Sequence, residues 1–194
     1  MNLHLTFPPK RNMTIEKFLA FYDAQPDGEK WELIEGEPVL SPTPTDFHQI
    51  VVGNIVHFLG AHKRKTGASW FAMPGISTRV PVSPRGLPQP DIFVLEGTPS
   101  GAAVTSDALL MFEILSRNNT KADQAWRRQV YASVPNCQHY VTVSMKSVDV
   151  VSYDRAADWK ARKATKLDGS LDLAALGVSM PLSEIYLWTP LGAK

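Results

Sequence analysis

The sequence predicts an α/β (α+β) fold in which a mixed β-sheet is flanked by helices. Short apolar strands alternate along the chain with amphipathic helical segments, an order typical of sheets covered by helices. Residues 109–115 form an almost wholly apolar run, which is typical of a central strand buried on both faces. The 194 residues are enough for one substantial core, so we expect a single domain, residues 1–194.

Two longer helices are predicted from capping residues and apolar periodicity. The first is capped by Thr45 or Asp46 and runs to about Lys65. The second covers residues 121–133, and a shorter helix is expected to start at Thr14. Their apolar stripes indicate that each packs one face against the sheet.

The strands are predicted from short runs of apolar and β-branched side chains bounded by turn residues. The first two form a hairpin around Glu35 and Gly36, where glycine supplies a positive φ. The proline-rich residues 81–90 are expected to form a loop or a frayed hairpin. The predicted strands are residues 31–34, 38–40, 70–72, 76–80, 91–95, 109–115, 140–143 and 148–153, followed by a short terminal segment at 182–186.

The net charge, the cysteine content and the lack of long apolar stretches bear on the possible partners and location of the protein. The formal net charge of +1 neither favours nor excludes a nucleic acid partner, because an acidic site can cancel a basic groove in the total. The single cysteine, Cys137, excludes an internal disulfide and fits a reducing compartment. Residues 1–9 lack the features of a signal peptide, and no stretch has the roughly 18 to 20 apolar residues that a membrane span needs. We therefore expect a cytoplasmic protein without a membrane partner.

Glu113 is a single carboxylate within the apolar central strand. Burying an ionised carboxylate is costly unless a cation, a metal ion or a proton compensates it. Glu113 is therefore a candidate metal ligand. Two structural alternatives remain open, namely an ion pair with an arginine and a strand end that reaches water.

Asp91 is the second candidate ligand. Pro90 cannot donate a hydrogen bond to a sheet, so it is expected at a strand start, which places Asp91 at the first paired position. If this strand pairs with the strand of Glu113, the two carboxylates can converge on one site. Oxygen-rich sites of this kind suit Mg²⁺ or Mn²⁺.

Six motifs in order give the chain a family resemblance. It resembles the Uma-type restriction endonuclease family of the PD-(D/E)xK nuclease superfamily, over about residues 30–155. Each motif alone is weak, but six at compatible spacings are a strong signal. They are Glu32 to Glu37, Ser41-Pro42 with His48, Pro90-Asp91, Glu113 to Ser116, Asp123 with Tyr131, and Val134-Pro135.

The resemblance implies a restriction-endonuclease-like core and a Mg²⁺-dependent (or Mn²⁺-dependent) DNA endonuclease. Asp91 and Glu113 would be its metal ligands. Glu37 could add a carboxylate, and His48 could contact phosphate or orient a water molecule. Glu37 solvating a hairpin and His48 capping a helix are equally open interpretations. By analogy, a homodimer is expected, since such nucleases often cut two strands as symmetric dimers.

Arg127 is a departure from the family's pattern. It stands where the family has a lysine, four residues after Asp123. Arginine keeps the charge and can position phosphate, but it cannot act as a base because it does not lose its proton in proteins. Lys121 lies nearby in sequence and could partly substitute, although helical spacing places it on a different face.

A second functional class therefore stays open. The chain could be a catalytically degenerate nuclease-fold protein that binds nucleic acid or a protein partner. Basic clusters offer a possible DNA track, although charge runs of this size are usually solvated surface. These clusters are residues 63–65, Arg127-Arg128, and Lys160, Arg162, Lys163 and Lys166.

Overall fold

The architecture is a six-stranded mixed sheet with helices on both faces. The structure is a computed structural model and describes residues 12–75, 80, 82–101, 104–116 and 119–192. The helices are α1 (Ile15–Tyr22), α2 (Asp46–Thr66), α3 (Lys121–Ala132) and α4 (Leu182–Ile185). The strands are β1 (Trp31–Ile34), β2 (Glu37–Leu40), β3 (Phe71–Pro74), β4 (Ile92–Leu95), β5 (Ala108–Leu115), β6 (His139–Ser144), β7 (Val150–Asp154), β8 (Ala161–Ala164), β9 (Ser170–Leu173) and β10 (Val178–Pro181).

The main sheet has the strand order β3-β4-β5-β6-β7-β8. All neighbours in it are antiparallel except β5 and β6, which α3 connects as a crossover. Two separate hairpins, β1–β2 and β9–β10, lie outside the main sheet. The predicted fold class, a mixed sheet flanked by helices, is confirmed.

Capping residues mark the ends of α2 and the start of α3. Thr45 caps α2, because its side chain accepts a hydrogen bond from the His48 backbone N–H. Gly67 ends the same helix with φ 72°, a left-handed conformation that glycine adopts without strain. Thr120 caps α3 by accepting from the Asp123 backbone N–H. The capped start that the sequence predicts for α2 and the helix that it predicts at residues 121–133 are thus confirmed to within one or two residues.

Alternating side chains divide β4 and β5 between two cores. Ile92 and Phe112 contribute to the larger core, which includes the buried face of α2. Phe93 and Met111 contribute to a second core, which includes Tyr131 of α3. Glu113 lies one step beyond Phe112 and therefore points toward the α3 face of the sheet.

Three strands were not predicted, and one prediction lies outside the described residues. Strands β8, β9 and β10 carry short, half-exposed patterns that no apolar run marks. The predicted strand at residues 76–80 falls almost wholly outside the described residues. None of the helices within the described ranges combines the length and the apolarity that a bilayer span requires.

Candidate active site

Asp91, the residue directly before β4, lies beside Glu113 of the paired strand β5. Ile92 of β4 pairs with Phe112 of β5, and the next residue along each strand is Asp91 and Glu113, respectively. The Asp91 Oδ2 atom accepts a hydrogen bond of 2.8 Å from the backbone N–H of Ile114. The chain thus fixes the Asp91 carboxylate against the strand that carries Glu113.

Glu113 is buried, and α3 supplies its partners. Its Oε1 atom accepts a hydrogen bond of 2.8 Å from Arg127 Nη1 and another of 2.8 Å from the Tyr131 hydroxyl. Arg127 and Tyr131 are four residues apart, so they lie on the same face of the helix. The arginine ion pair that the sequence left open as an alternative for Glu113 is therefore present.

Arg127 links three carboxylates at once. Its Nη1 and Nη2 atoms donate to the two carboxylate oxygens of Glu32, at 3.0 and 2.9 Å, in a bidentate pair. Its Nε atom donates to Asp123 at 3.3 Å, one helical turn away. Glu32 is only 1% exposed and also accepts the backbone N–H of Gln89. Arg127 thus holds the β1–β2 hairpin, β5 and α3 together through charge.

Asp91 has its own cation. Lys30, the residue before β1, places its Nζ atom 2.8 Å from Asp91 Oδ1. His48, in the first turn of α2, places Nε2 3.3 Å from Asp91 Oδ2. Burial alone would raise the pKa of Asp91, but Lys30 and His48 outweigh it and hold that pKa well below its usual range. Asp91 is therefore an ionised, anchored carboxylate.

Glu113 remains the least compensated of these acids. Burial raises its pKa, Arg127 opposes the rise, and the charge of Asp91 adds to it, with a pKa of about 7 as the result. The physical reason is that one guanidinium is shared among several carboxylates, and Glu32 takes two of its hydrogen bonds. The pKa of Glu32 is correspondingly lowered, because Arg127 outweighs the effect of burial. Glu113 is thus an incompletely compensated acid beside Asp91.

This imbalance predicts a pH-dependent stability. The pKa of Glu113 is above its unfolded value of 4.5, so the folded chain retains a proton that the unfolded chain releases. This stabilising contribution is fully present below about pH 4.5 and is lost as pH rises through about 7. In the presence of a metal chelator, the free energy of unfolding of Glu113→Gln minus that of wild type should therefore increase from pH 5 to pH 8, by about 1 to 3 kcal/mol. Urea unfolding at several pH values measures the difference, and a difference that does not change with pH would contradict the prediction.

Comparison with known proteins identifies the family. The model of the Uma2 family, described as "Putative restriction endonuclease", matches residues 15–183. The chain belongs to the Uma2 family. The resemblance predicted from six sequence motifs is therefore confirmed.

A solved structure shares the fold of this Uma2 chain. It is described as "a putative nuclease belonging to DUF820 from Anabaena variabilis ATCC 29413", and it matches with a TM-score of 0.74 at 14% sequence identity. The match covers 91% of this chain and 98% of that chain. No curated protein matches this chain. The structural likeness shows the fold, and what the site does is a separate question.

The site residues predicted for this Uma2 chain do not all meet. His48 is hydrogen-bonded to Asp91, and Arg127 is hydrogen-bonded to Glu113. The Ile114 backbone N–H connects Asp91 to the strand that carries Glu113. The contacts of the described residues do not connect Glu37 to them; Glu37 begins β2 and pairs with Ile34. The exposed Lys121 begins α3 and lies in a neighbouring pocket, as described below. The catalytic assignments themselves stay predictions.

Sequence reasoning missed two charged residues of the cluster. Lys30 precedes a strand and is 61 residues from Asp91, so no local pattern connects them. Glu32 is part of a motif that supports the family resemblance, but Glu37 was the hairpin carboxylate proposed for the site. The available signal was the position of Glu32 between apolar neighbours, which predicts an inward-pointing acid in need of a cation.

The donor set fits a hard divalent cation bound by few protein ligands. The described residues contain no group of three or more His, Cys, Asp or Glu side chains that could enclose a metal ion. Mg²⁺ is commonly held by only one or two carboxylates, with water and substrate oxygens completing its shell. Glu113 Oε2 accepts no hydrogen bond from the described residues. Burial and the charge of Asp91 raise the pKa of Glu113 although Arg127 and Lys30 oppose the rise. Asp91 and Glu113 are therefore suited to such an ion.

Proposed function

We propose that this protein is a Mg²⁺-dependent (or Mn²⁺-dependent) endonuclease that hydrolyses phosphodiester bonds of DNA, with Asp91 and Glu113 as the metal ligands. One observation carries the proposal: the partly buried Asp91, directly before β4, lies beside the buried Glu113 of β5, and burial together with the charge of Asp91 raises the pKa of Glu113. Such a pair is costly to keep in a fold without function. Membership of the Uma2 family supports the reaction class.

Lys30 supplies a partly exposed positive charge at this site. Burial would lower its pKa, but Asp91, Glu32 and Glu113 outweigh that effect and raise it. Lys30 therefore stays protonated and acts on a phosphate oxygen by charge and hydrogen bonding. Its side chain is 27% exposed, which leaves it accessible to a substrate.

His48 adds a polar group at the mouth of the same site. Its Nδ1 atom is buried and has no hydrogen-bond partner among the described residues, while Nε2 contacts Asp91. A water molecule or a substrate oxygen would satisfy Nδ1. His48 thus fits the role of orienting an attacking water beside Asp91.

A bound divalent ion would neutralise charge on the attacked phosphodiester and make a water molecule easier to deprotonate. The protein's own contribution is to hold the two carboxylates with Arg127, Tyr131 and the Ile114 backbone N–H. These contacts fix the ligands before substrate arrives, which lowers the cost of assembling the site.

Nicking of supercoiled plasmid tests the proposal. Wild type is expected to cut DNA with Mg²⁺ or Mn²⁺ and to be inactive in chelator. Asp91→Asn and Glu113→Gln should each lose about a hundredfold or more in rate, because each removes a carboxylate that would hold the metal ion, and the ion would neutralise charge on the attacked phosphodiester. The exposed Asp168→Asn is the matched control and should keep full activity.

A thermal-shift measurement separates loss of metal from loss of folding. Mn²⁺ should raise the unfolding temperature of wild type and leave that of Asp91→Asn unchanged, since binding to the folded state alone stabilises it. Cleavage that survives in both carboxylate variants would overturn the assignment of ligands. A folded wild type that neither binds Mn²⁺ nor cuts DNA would overturn the proposed function.

A second candidate is a nuclease-fold module that binds nucleic acid or a protein without cutting. Arg127 favours it, because its guanidinium is buried and already engaged with Glu32, Glu113 and Asp123. It therefore has no free edge to place against a scissile phosphate. DNA retained in a gel with no nicking under either metal would select this candidate. The cytoplasmic location and the homodimer expected by analogy stay predictions.

A further inference from the structure

A polar pocket lies beside the carboxylate cluster, between α3 and the sheet. It has a volume of about 160 Å³ and opens to solvent. Lys121, Gln124 and Arg128 line it from one face of α3, and Tyr140, Thr142 and Tyr153 line it from β6 and β7. The volume is roughly that of five water molecules in the liquid, which is enough for a tetrahedral oxyanion.

Hydrogen-bond donors and positive charge dominate the lining. Lys121 and Arg128 have no carboxylate partner among the described residues, although the Arg128 guanidinium lies 5.4 Å from the Tyr153 ring centroid. Gln124 and Thr142 add amide and hydroxyl donors. The N-terminus of α3, a helix of 12 residues, adds its positive dipole end beside Lys121.

The Tyr140 hydroxyl is the observation that points to a ligand. Tyr140 is fully buried, and its oxygen has no hydrogen-bond partner among the described residues. Its ring is fixed between Tyr131 and Tyr153, with centroids 5.3 and 5.7 Å away. Burial and, after it, the charge of Glu113 raise the pKa of Tyr140, so the hydroxyl keeps its proton and can donate it. A buried polar group without a partner is costly, and an anion in the pocket would remove that cost.

The pocket adjoins the proposed catalytic centre. Thr142 pairs with Glu113 in the parallel ladder of β5 and β6, and both side chains face α3. Neighbouring strands are about 4.8 Å apart. The pocket therefore lies one to two strand spacings from Glu113, roughly 5 to 10 Å, which is the scale that separates adjacent phosphates of one strand.

We propose that this pocket binds a phosphate group of the nucleic acid next to the attacked phosphodiester, through Lys121, Arg128 and the Tyr140 hydroxyl. The proposal rests on the proposed nuclease function. It also assigns Lys121 a role in positioning substrate, in place of a role at the scissile bond.

Inorganic phosphate tests the pocket without any nucleic acid. Phosphate should raise the unfolding temperature of wild type in a saturable manner, and Lys121→Ala/Arg128→Ala should lose that increase. Tyr140→Phe should be as stable as wild type or more stable without phosphate, yet show a smaller phosphate-induced increase. Loss of a purely structural tyrosine would lower stability without phosphate, so unchanged or higher stability together with a smaller phosphate response indicates a role in binding. The exposed Lys17→Ala, on α1, is the control and should respond like wild type.

Binding of an oligonucleotide tests the source of the phosphate. In chelator, where no cleavage occurs, fluorescence anisotropy gives the affinity of single- and double-stranded DNA at several salt concentrations. Lys121→Ala/Arg128→Ala should weaken binding roughly tenfold and lower the slope of log affinity against log salt by about one. Lys17→Ala should change neither quantity.

The outcomes separate this proposal from the nuclease proposal. If Lys121→Ala/Arg128→Ala lowers both the DNA affinity and the slope of log affinity against log salt, the result supports phosphate binding in the pocket, whether or not wild type cuts plasmid. A phosphate response with an unchanged DNA slope would overturn it in favour of a site for free phosphate. No response to phosphate and no change in DNA binding would overturn it altogether, even for a wild type that cleaves DNA.

Discussion

Replacing Lys30 with methionine is expected to lower the rate of metal-dependent DNA cleavage about a hundredfold to a thousandfold. Lys30 places an ammonium 2.8 Å from Asp91, and its charge would be aimed at the negative charge that develops on the attacked phosphate. Removing one preorganised donor of this kind from a buried site has an effect of that size. Methionine keeps the length and apolar packing of the side chain, so the change isolates the charge.

Plasmid nicking under saturating Mg²⁺ measures this effect, and two variants control for it. Lys17→Met removes an exposed lysine on α1 and should leave the rate unchanged. Lys30→Arg keeps the charge with a different shape and should retain more activity than Lys30→Met. An undiminished rate in Lys30→Met, with Asp91→Asn inactive, would show that Lys30 serves only to hold Asp91 in the metal-free protein.

Replacing Arg127 with methionine is expected to lower the free energy of unfolding by about 3 to 5 kcal/mol. Arg127 is buried and compensates Glu32 and Glu113, so its loss leaves two carboxylates buried without a partner of opposite charge. Removing one partner of a buried ion pair has a cost of this order. Urea unfolding at pH 7 measures it, with linear extrapolation to zero denaturant.

The neighbouring residue gives a matched control. Arg128 is exposed on the same helix, and Arg128→Met should change the free energy of unfolding by no more than about 0.5 kcal/mol. Adding Glu32→Gln to Arg127→Met should recover part of the loss, because it removes one of the uncompensated charges. A small effect of Arg127→Met, near that of Arg128→Met, would mean that water or protons compensate the carboxylates.

The arrangement gives Arg127 and Lys30 different tasks. Arg127 is enclosed by Glu32, Glu113 and Asp123 and connects elements that are far apart in sequence. Lys30 is partly exposed beside Asp91. The substitution of lysine by arginine on α3 therefore need not remove the cation from the site, because a lysine from a different element lies against the other carboxylate. This division is consistent with a site in which the structural and the reactive cation are separate.

Local sequence patterns determined the elements that carry the two candidate ligands. The apolar residues around Glu113 predict that it lies on a buried strand, and Pro90 predicts that Asp91 lies near a strand start. Both predictions depend only on residues a few positions away along the chain. Capping by Thr45 and Thr120 likewise depends on a side chain and backbone N–H groups two or three residues away. The six ordered motifs were enough for the family and hence for the fold class.

The partners of those carboxylates were decided by the tertiary structure alone. Lys30 is 61 residues from Asp91 in the sequence, and Arg127 is 95 residues from Glu32. No pattern of charged residues in the sequence predicts which ones pair over such separations. The edge strand β8 escaped prediction for a related reason: its exposed Ala-Arg-Lys-Ala sequence has no apolar alternation, and pairing with β7 is what makes it a strand. The sequence indicated that Glu113 would be buried, whereas the packing of the β1–β2 hairpin and α3 against the sheet buried Glu32 as well and decided which cations would compensate the two acids.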